Sequence, residues 1–233
     1  MARYYFIWKG VNSADMGILM QSPPPVIKPE ERIEHITIPG RTGEMTLTEG
    51  DDIYQSYIHT IPIAVREMAR VRPAENWLRG DGELILCTQP EFSQRARVIG
   101  SATLERHSLN TDVWVGDVQF YCDPVKHAIG ELDIEIGVSG QTITNPGAMR
   151  AFPTITVVGA SGTVTIRIGA KTLVIPNVSG GVTIDCENEW ILNGNTPQMN
   201  ACSGEFPDIP TGESTVLFTG ASKLMITPNW RYL

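Results

Sequence analysis

Residues 36–52, ITIPGRTGEMTLTEGDD, contain a glycine-bounded basic loop, Gly40-Arg41-Thr42-Gly43. A loop of this composition cradles phosphate when it joins a strand to a helix and carries G-x-x-x-x-G-K-[ST]. Here Gly43 is followed by Glu44 and Met45, with no lysine. Ile36-Thr37-Ile38 before the loop and Met45-Thr46-Leu47-Thr48 after it both alternate with a period of two. Pro39-Gly40 and Thr42-Gly43 supply turn chemistry between them. The pattern predicts a hairpin with Pro39, Gly40, Arg41, Thr42 and Gly43 at its corner, and no helix N-terminus to hold an anion.

Other residues have types and spacings that invite chemistry. Asp185, Glu187 and Glu189 in DCENEW would share one face of a strand, and hard oxygen ligands suit Ca²⁺. The run lacks the glycine-punctuated D-x-[DN]-x-[DN]-G loop, so a solvated strand end or turn is the expectation, and no metal site is assigned. Glu34 with Glu44, or Asp51 with Asp52, could serve as a glycosidase pair only across a cleft of about 5–9 Å. Without a cleft they read as solubilising loop charges. Trp190 and Trp230 could stack on sugar rings, although tryptophans in such strands more often anchor cores or interfaces.

His35, His59, His107 and His127 all lie in the first half, none beside a G-x-S-x-G or a triad-like cysteine. Cys87, Cys122, Cys186 and Cys202 are too far apart in sequence for a C-x-x-C or a Cys/His metal spacing, and reduced, mostly buried thiols are expected. No catalytic residue and no cofactor follows from these patterns.

The elements that must carry these residues are mostly strands. Ile61, Ile63 and Val65 alternate with Thr60, Pro62 and Ala64, and Val164, Ile166 and Ile168 with Thr163, Thr165 and Arg167. Leu132, Ile134 and Ile136 alternate with Glu131, Asp133 and Glu135, which predicts a half-buried strand with an acidic outer face. Trp114, Val118 and Phe120 share one parity. Short strands separated by Gly, Pro, Asn and Ser clusters imply antiparallel sandwiches or barrels. The exception is VRPAENWLRGDGE, where Pro73 near a helix start and Gly80 past its end predict a short helix over 74–79, with Trp77 and Leu78 packing on a sheet.

The chain has 233 residues, 42% of them hydrophobic, enough for one large domain or two small ones. CDPVKHAIGE, residues 122–131, separates a long strand signal from a Thr-, Val-, Ile- and Gly-rich second half, which predicts domains over 1–128 and 129–233. Mean hydropathy is −0.07, no apolar run approaches the ~18 residues of a spanning helix, and MARYYFIWKG lacks the long apolar run and cleavage site of a signal peptide. Net charge of −8 argues against a surface that grips nucleic acid phosphates.

The order of segments in the second half is distinctive. Asn145 to Gly147 open it, followed by Ala151 to Gly159, Thr183 to Asp185, Gly204 to Thr215 and Ile226 to Arg231. This text resembles the C-terminal domain of siphophage distal tail proteins, the Dit family. The first half agrees through Met16 to Leu19, the P-G-R-T-G hairpin, Tyr57 to Val65 and Trp77 to Leu84. The resemblance covers nearly the whole chain, which would be a short form without inserted carbohydrate-binding modules.

The resemblance implies a mainly β protein: an N-terminal β-sandwich with one short helix, and a C-terminal galectin-like β-sandwich. It implies a hexameric ring at the distal end of a virion tail, assembled in the bacterial host cytoplasm. That ring would join the tail tube protein and tape-measure protein to tail-associated and receptor-binding proteins. DNA would pass through its lumen without specific binding, no membrane would be involved, and the negative net charge suits such a lumen. The second half has no histidine, so galectin-like denotes fold and not lectin activity. The leading expectation is a structural hub without catalysis, with the Pro39–Gly43 corner in assembly contacts. The alternatives are a carbohydrate-binding adhesion module using Trp190 or Trp230, and a hydrolase built on a β-sandwich.

Overall fold

The computed structural model describes residues 4–48, 50, 52–100, 103–194, 196–198 and 202–233. The chain divides into two compact units, one reaching Lys126 and including Leu233, the other His127–Tyr232. The first contains β1 (Phe6–Trp8), β2 (Val11–Asn12), β3 (Ile18–Met20), β4 (Ile33–Thr37), β5 (Glu44–Thr48), β6 (Tyr57–Arg66), α1 (Met68–Trp77), β7 (Asp81–Leu86), β8 (Gln89–Ile99), β9 (Glu105–Arg106) and most of β10 (Val113–Ala128). The second contains β11 (Ile134–Ile136), β12 (Gln141–Asn145), β13 (Thr154–Ile168), β14 (Lys171–Asp185), β15 (Trp190–Asn193), β16 (Thr196–Pro197), β17 (Ser203–Gly204), β18 (Gly212–Thr219), β19 (Lys223–Thr227) and β20 (Arg231–Tyr232).

In the first unit the sheet order is β2-β1-β7-β8-β10-β6-β3. Strand alternation decides its core. Ile61, Ile63 and Val65 of β6 and Val118 and Phe120 of β10 are at most 1% exposed, and burying each such side chain is worth about 1.5–3 kcal/mol. The sheet curls onto itself. β1 lies three strand spacings from β10, roughly 14 Å in a flat sheet. Yet the Trp8 and Phe120 rings are 5.1 Å apart and the Phe6 and Phe120 rings 5.6 Å, both edge-on.

The helix begins one and a half turns earlier than Pro73 suggests. Residue 73 lies inside Met68–Trp77, where proline forgoes an i−4 hydrogen bond. The added turn is held from a distant segment: Asp112 Oδ2 accepts the Met68 N–H at 3.1 Å, and the Asp112 carbonyl accepts the Glu67 N–H at 2.9 Å. A side chain 44 residues away thus replaces a local cap. Val71, Ala74 and Leu78 are buried, and Trp77 stacks on Phe6 at 5.8 Å.

In the second unit β13 and β14 form a 15-residue antiparallel hairpin with register shifts between Val157 and Ala160 and between Gly162 and Val164. Before the shifts β13 pairs with β19 through Thr154–Val158; after them it pairs with β18 through Thr165–Ile168. One bent strand therefore serves both layers of a sandwich, with bulges at its corner. Ile155, Val157, Val164, Ile166 and Ile168 are fully buried between the layers. The chain is mainly β, with β-sandwich units and one short helix in the first, the class expected from the sequence.

Leu132 departs from its pattern. It is 83% exposed, because pairing starts only at Ile134 opposite Ile226. The residues before it are recruited by side chain: Glu131 accepts the Trp230 N–H at 3.1 Å, and Asp133 accepts the Thr227 hydroxyl.

The segments singled out in the second half are structural joints. Asn145 Nδ2 donates to the carbonyls of Met149 and Ile209 at 3.0 and 2.9 Å, while its Oδ1 accepts the Gly147 N–H at 2.8 Å. Asp208, 6% exposed, lies 3.4 Å from Arg150 and 3.0 Å from Lys171. Gly220 has φ +78°, and a Cβ there would sit 2.1 Å from the Thr163 carbonyl oxygen, beside the bend in β13. Gly220→Ala is therefore expected to destabilise the protein by roughly 2–3 kcal/mol, read as a lowered urea midpoint.

Candidate functional site

β4 and β5 form a two-stranded antiparallel ribbon, paired from Ile33 opposite Thr48 to Thr37 opposite Glu44. Pro39–Gly43 lies in the loop between them. The Arg41 N–H donates to the Ile38 carbonyl at 3.1 Å, and Gly40 and Gly43 take φ of +84° and +87°, which glycine adopts without strain. A Cβ at either glycine would meet nothing within 4 Å, so no described atom crowds the backbone there. A strand lies on each side of the loop, as its flanking alternation predicts, and no helix start adjoins it.

The ribbon forms its own sheet, separate from the main one, and every residue of β4 and β5 is exposed. The register puts Ile36 opposite Met45 and Leu47 opposite Glu34 on one face. Ile36, Met45 and Leu47 are 37%, 42% and 39% exposed. Among the described residues between Met20 and Tyr57, no apolar side chain joins the core cluster of this unit. A two-stranded ribbon alone is marginally stable in water. Its side-chain contact, His35 Nδ1 to Glu44 Oε2 at 3.7 Å, is solvent-exposed on both sides and adds little. The ribbon is thus an exposed arm with three apolar side chains, Ile36, Met45 and Leu47, on one face and Ile33 on the other.

The other sequence candidates are dispersed. Glu44 pairs with His35, while Glu34 is opposite Leu47 on the other ribbon face. Asp51 lies outside the described residues, which leaves Asp52 in the base of the arm. Trp230 is 8% exposed and belongs to the core of the second unit, so it offers no stacking face; Trp190 is 38% exposed. His59 is buried in β6, and His107 is exposed. Cys87, Cys122 and Cys186 are free thiols, and burial pushes the Cys122 and Cys186 thiols up to about 12. No group of three or more His, Cys, Asp or Glu among the described residues is placed to hold a metal. No helix among them is long and apolar enough to cross a membrane.

Sequence reasoning passed over a buried polar group at one end of the first core: Tyr57, His59, Gln94, Cys122 and Lys126. His59, Gln94 and Lys126 are 1%, 4% and 3% exposed. The signal for His59 was present, since it shares the buried parity of Ile61 and Ile63.

No protein-family model matches the chain, and no curated protein matches it. Among solved structures, it is similar to the SPP1 Dit (gp 19.1) protein, a paradigm of the hub adsorption apparatus in phages infecting Gram-positive bacteria. The TM-score is 0.81, 99% of each chain is covered, and sequence identity is 17%. The chain thus has the Dit fold over its full length.

Asp185 organises a turn and leaves Glu187 and Glu189 pointing to solvent. Its Oδ1 accepts the N–H groups of Glu187 and Asn188 at 3.0 and 2.9 Å, and its Oδ2 accepts Asn188 Nδ2 at 2.9 Å. Partial burial works against the charged form. The hydrogen bonds from Asn188, Glu187 and the Trp190 side chain outweigh it and hold the carboxyl below its usual 3.8. A carboxylate held down in the folded state stabilises above that usual value, and the effect is lost as pH falls through the lowered one. Asp185→Ala should cost about 1–2 kcal/mol at pH 7. The gap from the wild type should narrow below about pH 4, and neither Ca²⁺ nor a chelator should shift the thermal midpoint of either protein.

Proposed function

We propose that this chain is a distal tail protein, a structural hub at the tip of a siphophage tail that works by assembly and not by catalysis. The observation that carries the reading is the full-length likeness to the SPP1 Dit hub protein. The exposed arm supports it. An isolated ribbon with Ile36, Met45 and Leu47 on one face gains stability when a second surface covers that face, and a second copy of the chain is the partner proposed. The tip Pro39, Gly40, Arg41, Thr42 and Gly43 would enter the same contact, because glycine lets backbones approach closely.

In this reading six copies close a ring through a heterologous contact, each arm lying on its neighbour. The ring joins the tail tube protein and the tape-measure protein to the tail-associated and receptor-binding proteins, and DNA traverses its lumen. The protein resides at the distal end of the virion tail after assembly in the host cytoplasm. The negative net charge of −8 suits a passage that must release DNA. A sugar-binding module would have to work from Trp190 alone, since Trp230 is buried.

Light scattering with negative-stain imaging of the purified 25.6 kDa chain tests this directly. The wild type should give a ring of about six subunits, alone or when supplied with tail tube protein. Ile36→Lys with Met45→Lys should abolish the ring while leaving the monomer folded, and Arg41→Ala with Thr42→Ala should weaken it. Rings that persist undiminished in both double variants would remove the arm from the interface. A wild type that stays monomeric even with tube protein would overturn the hub reading.

A further inference from the structure

The buried polar group stands where the chain enters and leaves the first core. Tyr57 opens β6, the strand that follows the arm. Lys126 is the residue at which β10 passes from the first unit to the second. At this end of the core His59 takes a position meant for an apolar side chain. It is 1% exposed, shares the inward parity of Ile61 and Ile63, and lies opposite Phe120 across the β6–β10 pair. Neither of its ring nitrogens has a hydrogen-bond partner among the described residues.

The inward groups around this ring are neutral or cationic. On β6 the Tyr57 ring is 6.4 Å away, and its hydroxyl is donated to Gln94 Oε1 of β8 at 3.0 Å. β10 brings Cys122, whose thiol burial pushes up to about 12, and Lys126, 3% exposed, its own ammonium driven down by burial. The inward residues of β3 and β7, Ile18, Met20, Leu84 and Leu86, are apolar. The charged neighbours in sequence, Asp123 on β10 and Arg95 on β8, have the opposite parity and are exposed. Burial first, and the Lys126 charge second, push the imidazole below its ordinary 6.5. A proton on this ring would create a second buried cation beside Lys126 with no inward carboxylate to balance it. Such a charge is strongly disfavoured, so the proton is taken up when the core opens and the ring reaches water. We infer that His59 is an acid-sensitive latch, whose protonation opens the end of the first core from which the chain runs to the arm and to the second unit. The latch rests on the burial geometry of β6 and β10. Its consequence for a ring rests in addition on the hub reading.

A histidine whose folded pKa lies below its unfolded one contributes fully above about pH 6.5, and the contribution is lost as pH falls toward the lowered value. Ordinary carboxylates titrate near about 4, below this window. Glu131, which burial raises, belongs to the second unit, so the place of opening separates the two groups. The test uses the full chain. Exchange at histidine C2, followed by mass spectrometry across pH, should place the His59 titration below 6.5. Backbone hydrogen exchange, corrected for its intrinsic pH dependence, should show residues 57–61 and 118–126 opening roughly five- to tenfold more often at about pH 5.5 than at about pH 7. Residues 164–168 of the second unit should not follow. His59→Leu should remove the difference. If it does not fold, His59→Gln, which cannot titrate, takes its place, and the wild-type titration decides if neither folds. Rings formed by the wild type should come apart over the same window and persist in the variant. A His59 that titrates at or above 6.5, or an equal acid-driven opening in the variant, would overturn the latch. An absence of rings at every pH counts against the hub reading alone, because the exchange measurements do not need them.

Discussion

The constraint on which the molecule depends is the two-residue period of a paired strand. On β6 and β10 it places Ile61, Ile63, Val65, Val118 and Phe120 on one face. Curling the sheet then brings β1 across to meet them, so Phe6 and Trp8 close the core against Phe120. On β13 the same period runs for 15 residues, but two register shifts turn the strand between sheet layers without exposing its apolar face. Bulges are what allow a single strand to obey one alternation and serve two sheets. The glycines at that corner follow from the geometry: Gly220 is needed because the Thr163 carbonyl occupies the place of its Cβ.

Where alternation has no second surface to work against, the chain shows its interactions. β5 alternates as β6 does, yet every residue of β4 and β5 is exposed. The apolar face of Ile36, Met45 and Leu47 is larger than isolated surface hydrophobics need explaining, and it is carried on a ribbon too small to be stable by itself. The polar end of the first core is the converse case. There His59 and Lys126 occupy buried positions that alternation assigns to apolar side chains, and neither ring nitrogen of His59 has a hydrogen-bond partner among the described residues. An exposed apolar arm and a buried polar group are thus two departures from one rule.

The legibility of the sequence follows the range of the interactions. Ile61 to Val65 and Val164 to Ile168 were readable because strand burial is encoded every second residue. The ribbon around Pro39–Gly43 was readable because both its strands and its turn residues are local. The helix start was not, since Asp112 caps it from 44 residues away and Pro73 misleads at short range. Leu132 failed similarly: Glu131 and Asp133 are drawn off by Trp230 and Thr227, near the other end of the chain. Trp230 left two readings open in the sequence, and its 8% exposure closes one of them. The polar group was the least visible, because a lysine in a strand reads as solvent-facing, whereas Lys126 is 3% exposed.

The segments that carry the resemblance to distal tail proteins turn out to be joints and not reactive groups. Asn145 ties Met149 and Ile209 together, Gly147 admits the Arg231 carbonyl 2.5 Å from where a Cβ would be, and Asp208 holds Arg150 and Lys171. Residues of this kind constrain backbone approach and buried charge, which few other sequences satisfy in the same order. The fold is shared with the SPP1 Dit structure at 17% identity. The chemistry-bearing residue types, the histidines, cysteines and acidic side chains, form no group of three or more placed to hold a metal among the described residues.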